Sequence, residues 1–124
     1  PNLRADHARD WALRKRWIGI TAQERAMLAA AIIANTGKMD LPPTLTALLS
    51  PAAVREAQAW GLATRLCRRF SYAMPQGLSA STLTVEGDAL VLSIAAGLAE
   101  LVNEGVLRDL KALAAHLGLK PDVR

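Results

Sequence analysis

Cysteine, histidine and aromatic side chains are all scarce in this chain. A single Cys67 stands among 124 residues, so no internal disulfide can form and nothing argues for secretion. Its helical neighbours Ala63, Leu66 and Phe70 mark it as a small core filler rather than a nucleophile. The two histidines, His7 and His116, lie at opposite ends of the sequence. His7 and Asp10 share a helix face, but two candidate ligands do not make a metal site, and His116 reads as a cap for the end of its helix. Aromatics make up 4% of the chain, and Trp11, Trp17 and Trp60 are expected to anchor a helical core. The longest apolar run, residues 26–34, falls far short of the ~20 residues that span a bilayer. No signal peptide, Gly-rich phosphate loop or nucleophile–His–acid constellation is present. Glu100 and Glu104 sit where a helix N-terminus favours their ionised form, which makes them poor general acids. No catalytic residue and no metal ligand is assigned.

What the chain has in quantity is alanine, leucine and positive charge. Hydrophobic residues make up 52% and the net charge is +4, with a pI near 9.9. Such a balance suits a basic surface or a polyanionic partner. The chain opens on Pro1 rather than Met and reads as a fragment of a longer protein.

The pattern predicts helix over residues 6–16, then a break at Trp17-Ile18-Gly19-Ile20. Thr21-Ala22-Gln23-Glu24 is a capping box that starts a second helix at Ala22, with Met27, Leu28, Ala31 and Ile32 on one face. That helix stops near Asn35-Thr36-Gly37. Leu41-Pro42-Pro43 is a linker, and residues 44–49 form a short helical turn. Ser50-Pro51 starts a long helix that runs to about Tyr72, with Val54, Ala57, Ala63, Leu66, Cys67 and Phe70 inward. Leu83-Thr84-Val85-Glu86-Gly87-Asp88-Ala89-Leu90-Val91-Leu92 is a β-hairpin. Its two-residue Gly87-Asp88 turn pairs Glu86 with Ala89 and Leu83 with Leu92. A last helix is predicted over residues 98–117, closed by Gly118, and residues 120–124 add a short edge strand. The fold class is therefore α+β, with a helical N-terminal part and a hairpin packed with a long C-terminal helix.

The cationic residues are the best binding candidates. Arg65, Arg68 and Arg69 crowd one side of the long helix, and Arg55 lies within one helical step of the same stripe. Arg14, Lys15 and Arg16 close the first helix. Guanidinium forks suit phosphate oxygens; the competing reading of both groups is a solvated helix face.

Three runs together resemble the C-terminal region of the Ppx/GppA family of exopolyphosphatases and guanosine pentaphosphate phosphohydrolases. They are Trp60-Gly61-Leu62-Ala63-Thr64-Arg65-Leu66-Cys67-Arg68-Arg69, the hairpin above, and Gly105-Val106-Leu107-Arg108-Asp109-Leu110-Lys111-Ala112-Leu113-Ala114. The resemblance covers the chain from about Trp17 onward. It implies that residues 1–49 end a degenerate HD-like helical region and that residues 50–124 form a C-terminal α/β part, the two sharing one core. It further implies a cytoplasmic parent hydrolase whose N-terminal actin-like domains hold Mg²⁺ and the catalytic residues, with this region inactive alone. Here it would assist binding of polyphosphate or guanosine pentaphosphate through the basic residues and support a homodimer, with no membrane contact. Ile33-Ala34-Asn35-Thr36-Gly37-Lys38 lacks the histidine that many relatives carry. The alternative is a stand-alone basic helical module that binds nucleic acid or a protein partner; for nucleic acid, some tryptophans would be exposed.

Overall fold

A computed structural model describes residues 2–73 and 75–124. The fold is α+β. In chain order it comprises α1 (Asn2–Arg14), α2 (Ala22–Asn35), α3 (Pro43–Thr46), α4 (Pro51–Ala73), β1 (Ser81–Glu86), β2 (Ala89–Ile94), α5 (Glu104–Leu117) and β3 (Lys120–Val123). The chain divides into two compact units, Pro1–Leu62 and Ala63–Arg124.

The first unit is helical. The capping box at α2 forms as the sequence predicts: the Glu24 amide donates to Thr21 Oγ1 at 3.1 Å, and the Thr21 amide donates to Glu24 Oε2 at 2.7 Å. The buried face of α2 is not the predicted one. Ala26, Ala29, Ala30, Ile33 and Ala34 are buried, while Leu28 is 36% exposed. Positions 26, 29, 30, 33 and 34 form a helical stripe of mostly small residues, so the helix axes approach closely and bulkier side chains flank the contact. Gly61 shows how close that approach is: a Cβ there would stand 2.3 Å from the Ala31 carbonyl oxygen and 2.6 Å from Ala34 Cβ. Leu45, Leu49, Ala53 and Ala57 join the same core. Gln58, also buried, donates from Nε2 to the Met39 carbonyl at 2.9 Å. This bond satisfies a buried amide and fastens the segment ahead of α3.

At the start of α4, the Ala53 amide donates to Ser50 Oγ at 3.1 Å, so Ser50 caps and Pro51 opens the helix as expected. Two tryptophans and the cysteine depart from expectation. Trp11 is 49% exposed and Trp60 48%, and Cys67 is exposed. Leu62, Leu66 and Phe70 hold the buried side of α4, and Cys67, one residue beyond Leu66, is turned about 100° away from it.

The second unit contains a three-stranded sheet in the order β1-β2-β3. The hairpin register is the predicted one, from Glu86↔Ala89 through Leu83↔Leu92. Gly87 has φ 60, and no non-glycine residue among the described residues has positive φ, so the turn carries positive φ at its first central position only, as in type II′. After α5, β3 returns to pair with β2 in parallel, with α5 as the crossover. Leu90, Val91 and Leu92 are all buried; since they alternate in direction, β2 is covered on both faces. Arg124 donates from Nη1 to Glu86 at 2.7 Å. That ion pair reaches from the end of β3 across the central strand to β1, and together with Asp122 it raises the Arg124 pKa.

α5 begins later than predicted. Asn103 Oδ1 accepts from the Val106 amide at 3.0 Å, so the N-cap lies at 103, and residues 99–101 form a separate 3₁₀ turn that contains Glu100. α1 is displaced the other way and runs from Asn2 to Arg14, so Lys15 and Arg16 fall in the connection to α2.

Candidate functional site

The basic residues singled out from the sequence separate into three groups of different character. In the second unit, Arg65 and Arg69 converge on Asp109. Arg65 donates from Nε to Oδ1 at 3.1 Å, and Arg69 from Nε to Oδ2 at 2.5 Å. Asp109 is only 4% exposed, and a buried carboxylate calls for hydrogen-bonding partners of this kind. Gly105, one helical turn earlier, makes room for the arm of Arg69: a Cβ there would lie 2.9 Å from Arg69 Cδ. Thus Gly105 and Asp109 form a cradle for one guanidinium, and Arg65 closes it.

This geometry changes the meaning of the predicted stripe. Arg65 and Arg69 spend donors on an internal carboxylate, whereas Arg68 points away and is exposed. The stripe is two structural arginines and one solvent-facing one. Asp109 escaped the sequence reading because an aspartate inside an amphipathic helix looks like surface. Its one local signal was its place on the face of Val106, Leu110 and Leu113, all buried.

In the first unit, Arg14, Lys15 and Arg16 are exposed around an aromatic pair. Trp11 and Trp17 meet edge to face with ring centroids 4.8 Å apart. Lys15 Nζ lies 4.7 Å from the Trp11 centroid and 5.3 Å from that of Trp17. Trp17 Nε1 donates to the Ala12 carbonyl at 3.3 Å. An ammonium over two indoles gains from both quadrupoles, so Lys15 is held by the rings, while Arg14 and Arg16 remain at the surface. Arg55 is likewise exposed, in the first half of α4. The first unit holds Arg14, Lys15, Arg16 and Arg55, and the second holds Arg65, Arg68 and Arg69.

Little else has the chemistry of a reaction centre. An open hollow of about 400 Å³ lies in the second unit beside the start of β1, lined by Ser79, Ser81, Thr82, Ser93 and neighbouring apolar residues. It has hydroxyls but no base to activate them. His7 is exposed, and Asp10 pairs with Arg9 at 3.2 Å. Among the described residues no three His, Cys, Asp or Glu side chains gather as metal ligands, and both oxygens of the buried Asp109 are engaged by arginine. These residues do not fit a Mg²⁺ site. No helix among the described residues is long and apolar enough to cross a membrane. Comparison with known proteins finds no family model that matches this chain and no curated protein similar to it.

Proposed function

We propose that this chain is the non-catalytic C-terminal part of an exopolyphosphatase or guanosine pentaphosphate phosphohydrolase of the Ppx/GppA type. The observation that carries the reading is that residues of the resembling runs interlock. Arg65 and Arg69 of the first run hold Asp109 of the third, and Arg69 lies over Gly105 of the same run. The second run forms its hairpin in the same unit. The parent is a cytoplasmic hydrolase that removes terminal phosphate with Mg²⁺ held by its actin-like N-terminal domains, outside these residues. Here the exposed cations Arg14, Lys15, Arg16 and Arg55 of the first unit and Arg68 of the second each attract the anion, and Arg65 and Arg69 maintain the fold of the second unit.

Titrating the chain with long-chain polyphosphate tests the binding role. Arg68→Ala and a combined Arg14/Lys15/Arg16→Ala variant should each weaken binding and flatten its salt dependence, with an unchanged thermal midpoint for Arg68→Ala. Affinity indistinguishable from wild type in both variants overturns the role. The native mass in source cells tests the parentage: a protein several times heavier than 13.3 kDa is expected, and one of that mass removes the catalytic domains from the reading.

A second reading, a nucleic-acid-binding module, draws support from the half-exposed Trp11 and Trp60. It expects single-stranded nucleic acid to bind more tightly than polyphosphate of equal charge, because stacking adds to electrostatics.

A further inference from the structure

The connection between α1 and α2 carries an isoleucine that nothing in its unit covers. Ile18 is 103% exposed, as open as an isolated residue. Gly19 beside it has φ 85, and a Cβ built there would meet nothing within 4 Å beyond its chain neighbours. The apex of the turn therefore stands clear of the described residues around it. The turn is braced all the same. Carbonyls at the end of α1 find donors on both sides: Ala12 accepts from Trp17 Nε1 at 3.3 Å, and Leu13 from Arg25 Nη1 at 3.0 Å. These bonds tie α1 to the turn and to α2, and they satisfy carbonyls that a helix end leaves open. Cations and indoles flank the apex. From Trp11 to Gln23 the sequence holds Arg14, Lys15 and Arg16 and no acid. The acids that border this stretch are engaged, Asp10 with Arg9 and Glu24 in the capping box. Among the described residues no acid pairs with Arg14 or Arg16.

We propose that this turn is a surface anchor for a bilayer of anionic phospholipid. Ile18 enters the acyl boundary, Trp11 and Trp17 lie at headgroup level, where indoles concentrate, and Arg14 and Arg16 meet lipid phosphates. Three observations favour a bilayer over other occupants. A protein partner would have to supply a pocket matched to this free-standing tip, whereas fluid acyl chains close around any apolar shape. Base stacking needs open indole faces, but Lys15 Nζ lies over both rings and the rings meet each other. Polyphosphate or nucleic acid would engage the cations and leave Ile18 in water. The inference stands apart from the hydrolase reading, whose family resemblance implies no membrane contact. Attachment through one aliphatic side chain and a few cations is weak and reversible. Each cation near an anionic surface is worth about a fivefold gain in partition, so the three together give about a hundredfold.

Co-sedimentation with vesicles tests the anchor. The chain should bind vesicles of phosphatidylglycerol and phosphatidylcholine in equal parts about a hundredfold better than vesicles of phosphatidylcholine alone, and salt should weaken that binding. Ile18→Ser should cut partition into the anionic vesicles about tenfold or more, with an unchanged thermal midpoint because Ile18 is fully exposed. Its affinity for long-chain polyphosphate should equal that of wild type, so failure of the anchor and failure of the polyphosphate role are read separately. In a Cys67→Ser background, Ile18→Cys carrying an environment-sensitive fluorophore should shift to the blue on anionic vesicles. Lys38→Cys, at an exposed position beyond the far end of α2, should not. Absence of vesicle binding overturns the proposal. So does binding that Ile18→Ser leaves unchanged, or an equal blue shift at both labelled positions. Loss of affinity for a single-stranded oligonucleotide in Ile18→Ser, with none for vesicles, overturns it in favour of nucleic acid.

Discussion

Arg69 reaches Asp109 through a gap left by a missing side chain. Its guanidinium meets the carboxylate across forty positions of sequence, and its arm runs over Gly105, where a Cβ would press on it at 2.9 Å. Arg65 holds the other carboxylate oxygen. A residue spacing that suggests a phosphate-binding comb is therefore, for two of its three members, an internal brace. Of the three, Arg68 is the one whose side chain is exposed.

Asp109→Asn should test the brace. It leaves two partly buried guanidinium groups without a counter-charge. Breaking a fully buried pair costs about 3–5 kcal/mol; with the arginines 24% and 34% exposed, a loss of about 2–3 kcal/mol is expected in urea unfolding. Arg68→Ala, measured alongside, should stay within about 0.5 kcal/mol of wild type.

Gly61→Ala should destabilise the helical unit although alanine is the better helix former. The propensity gain is about 1 kcal/mol. The added methyl would meet the Ala31 carbonyl oxygen at 2.3 Å, and forced separation of packed helices costs about 1–3 kcal/mol. A lowered thermal midpoint is expected; a raised one would show that α2 and α4 yield freely.

Cys67 should react with a thiol reagent in the native protein without denaturant, because it is exposed. Cys67→Ser should then change stability by no more than about 0.5 kcal/mol. Slow, unfolding-limited labelling would restore it to the core.

Lys15→Ala should cost about 0.5–1 kcal/mol through loss of the cation over Trp11 and Trp17, and it should alter tryptophan fluorescence. Lys15→Arg should retain most of that stability, since guanidinium also stacks on indole. Equal losses in both variants would assign the effect to packing by the lysine stem.

Gly87→Val should weaken the hairpin by about 1–2 kcal/mol, because Gly87 sits at φ 60, where a β-branched residue is strained. Gly87→Asn, which tolerates this region better, should recover part of the loss. Thermal unfolding of the two variants separates turn strain from a general effect of substitution.

Local signals were legible where they are self-contained. The Thr21–Glu24 box, the Ser50-Pro51 start and the Gly87-Asp88 turn each involve residues within a few positions of one another, and each formed as read. The buried face of α2 was misread because Met27 and Leu28 outweigh alanine on any hydrophobic scale. Close helix packing selects instead for small side chains at the contact. Trp11 and Trp60 were expected inside for the same reason. An indole can lie flat on the surface with one face packed, and bulk alone does not tell the two cases apart.

The sequence by itself determined the helices, the hairpin register, the strand that follows α5 and the α+β class, because periodicity, caps and turn chemistry act over a few residues. Tertiary structure alone decided which cations are free. Arg65, Arg68 and Arg69 carry the same charge within five positions of one helix, and only the arrival of Asp109 from forty or more positions away commits two of them and leaves the third. The same holds for the sheet. Its strands were legible as strands, but that β3 joins β2 rather than β1 depends on which neighbour each backbone group finds, and that pairing exists only once the chain has folded.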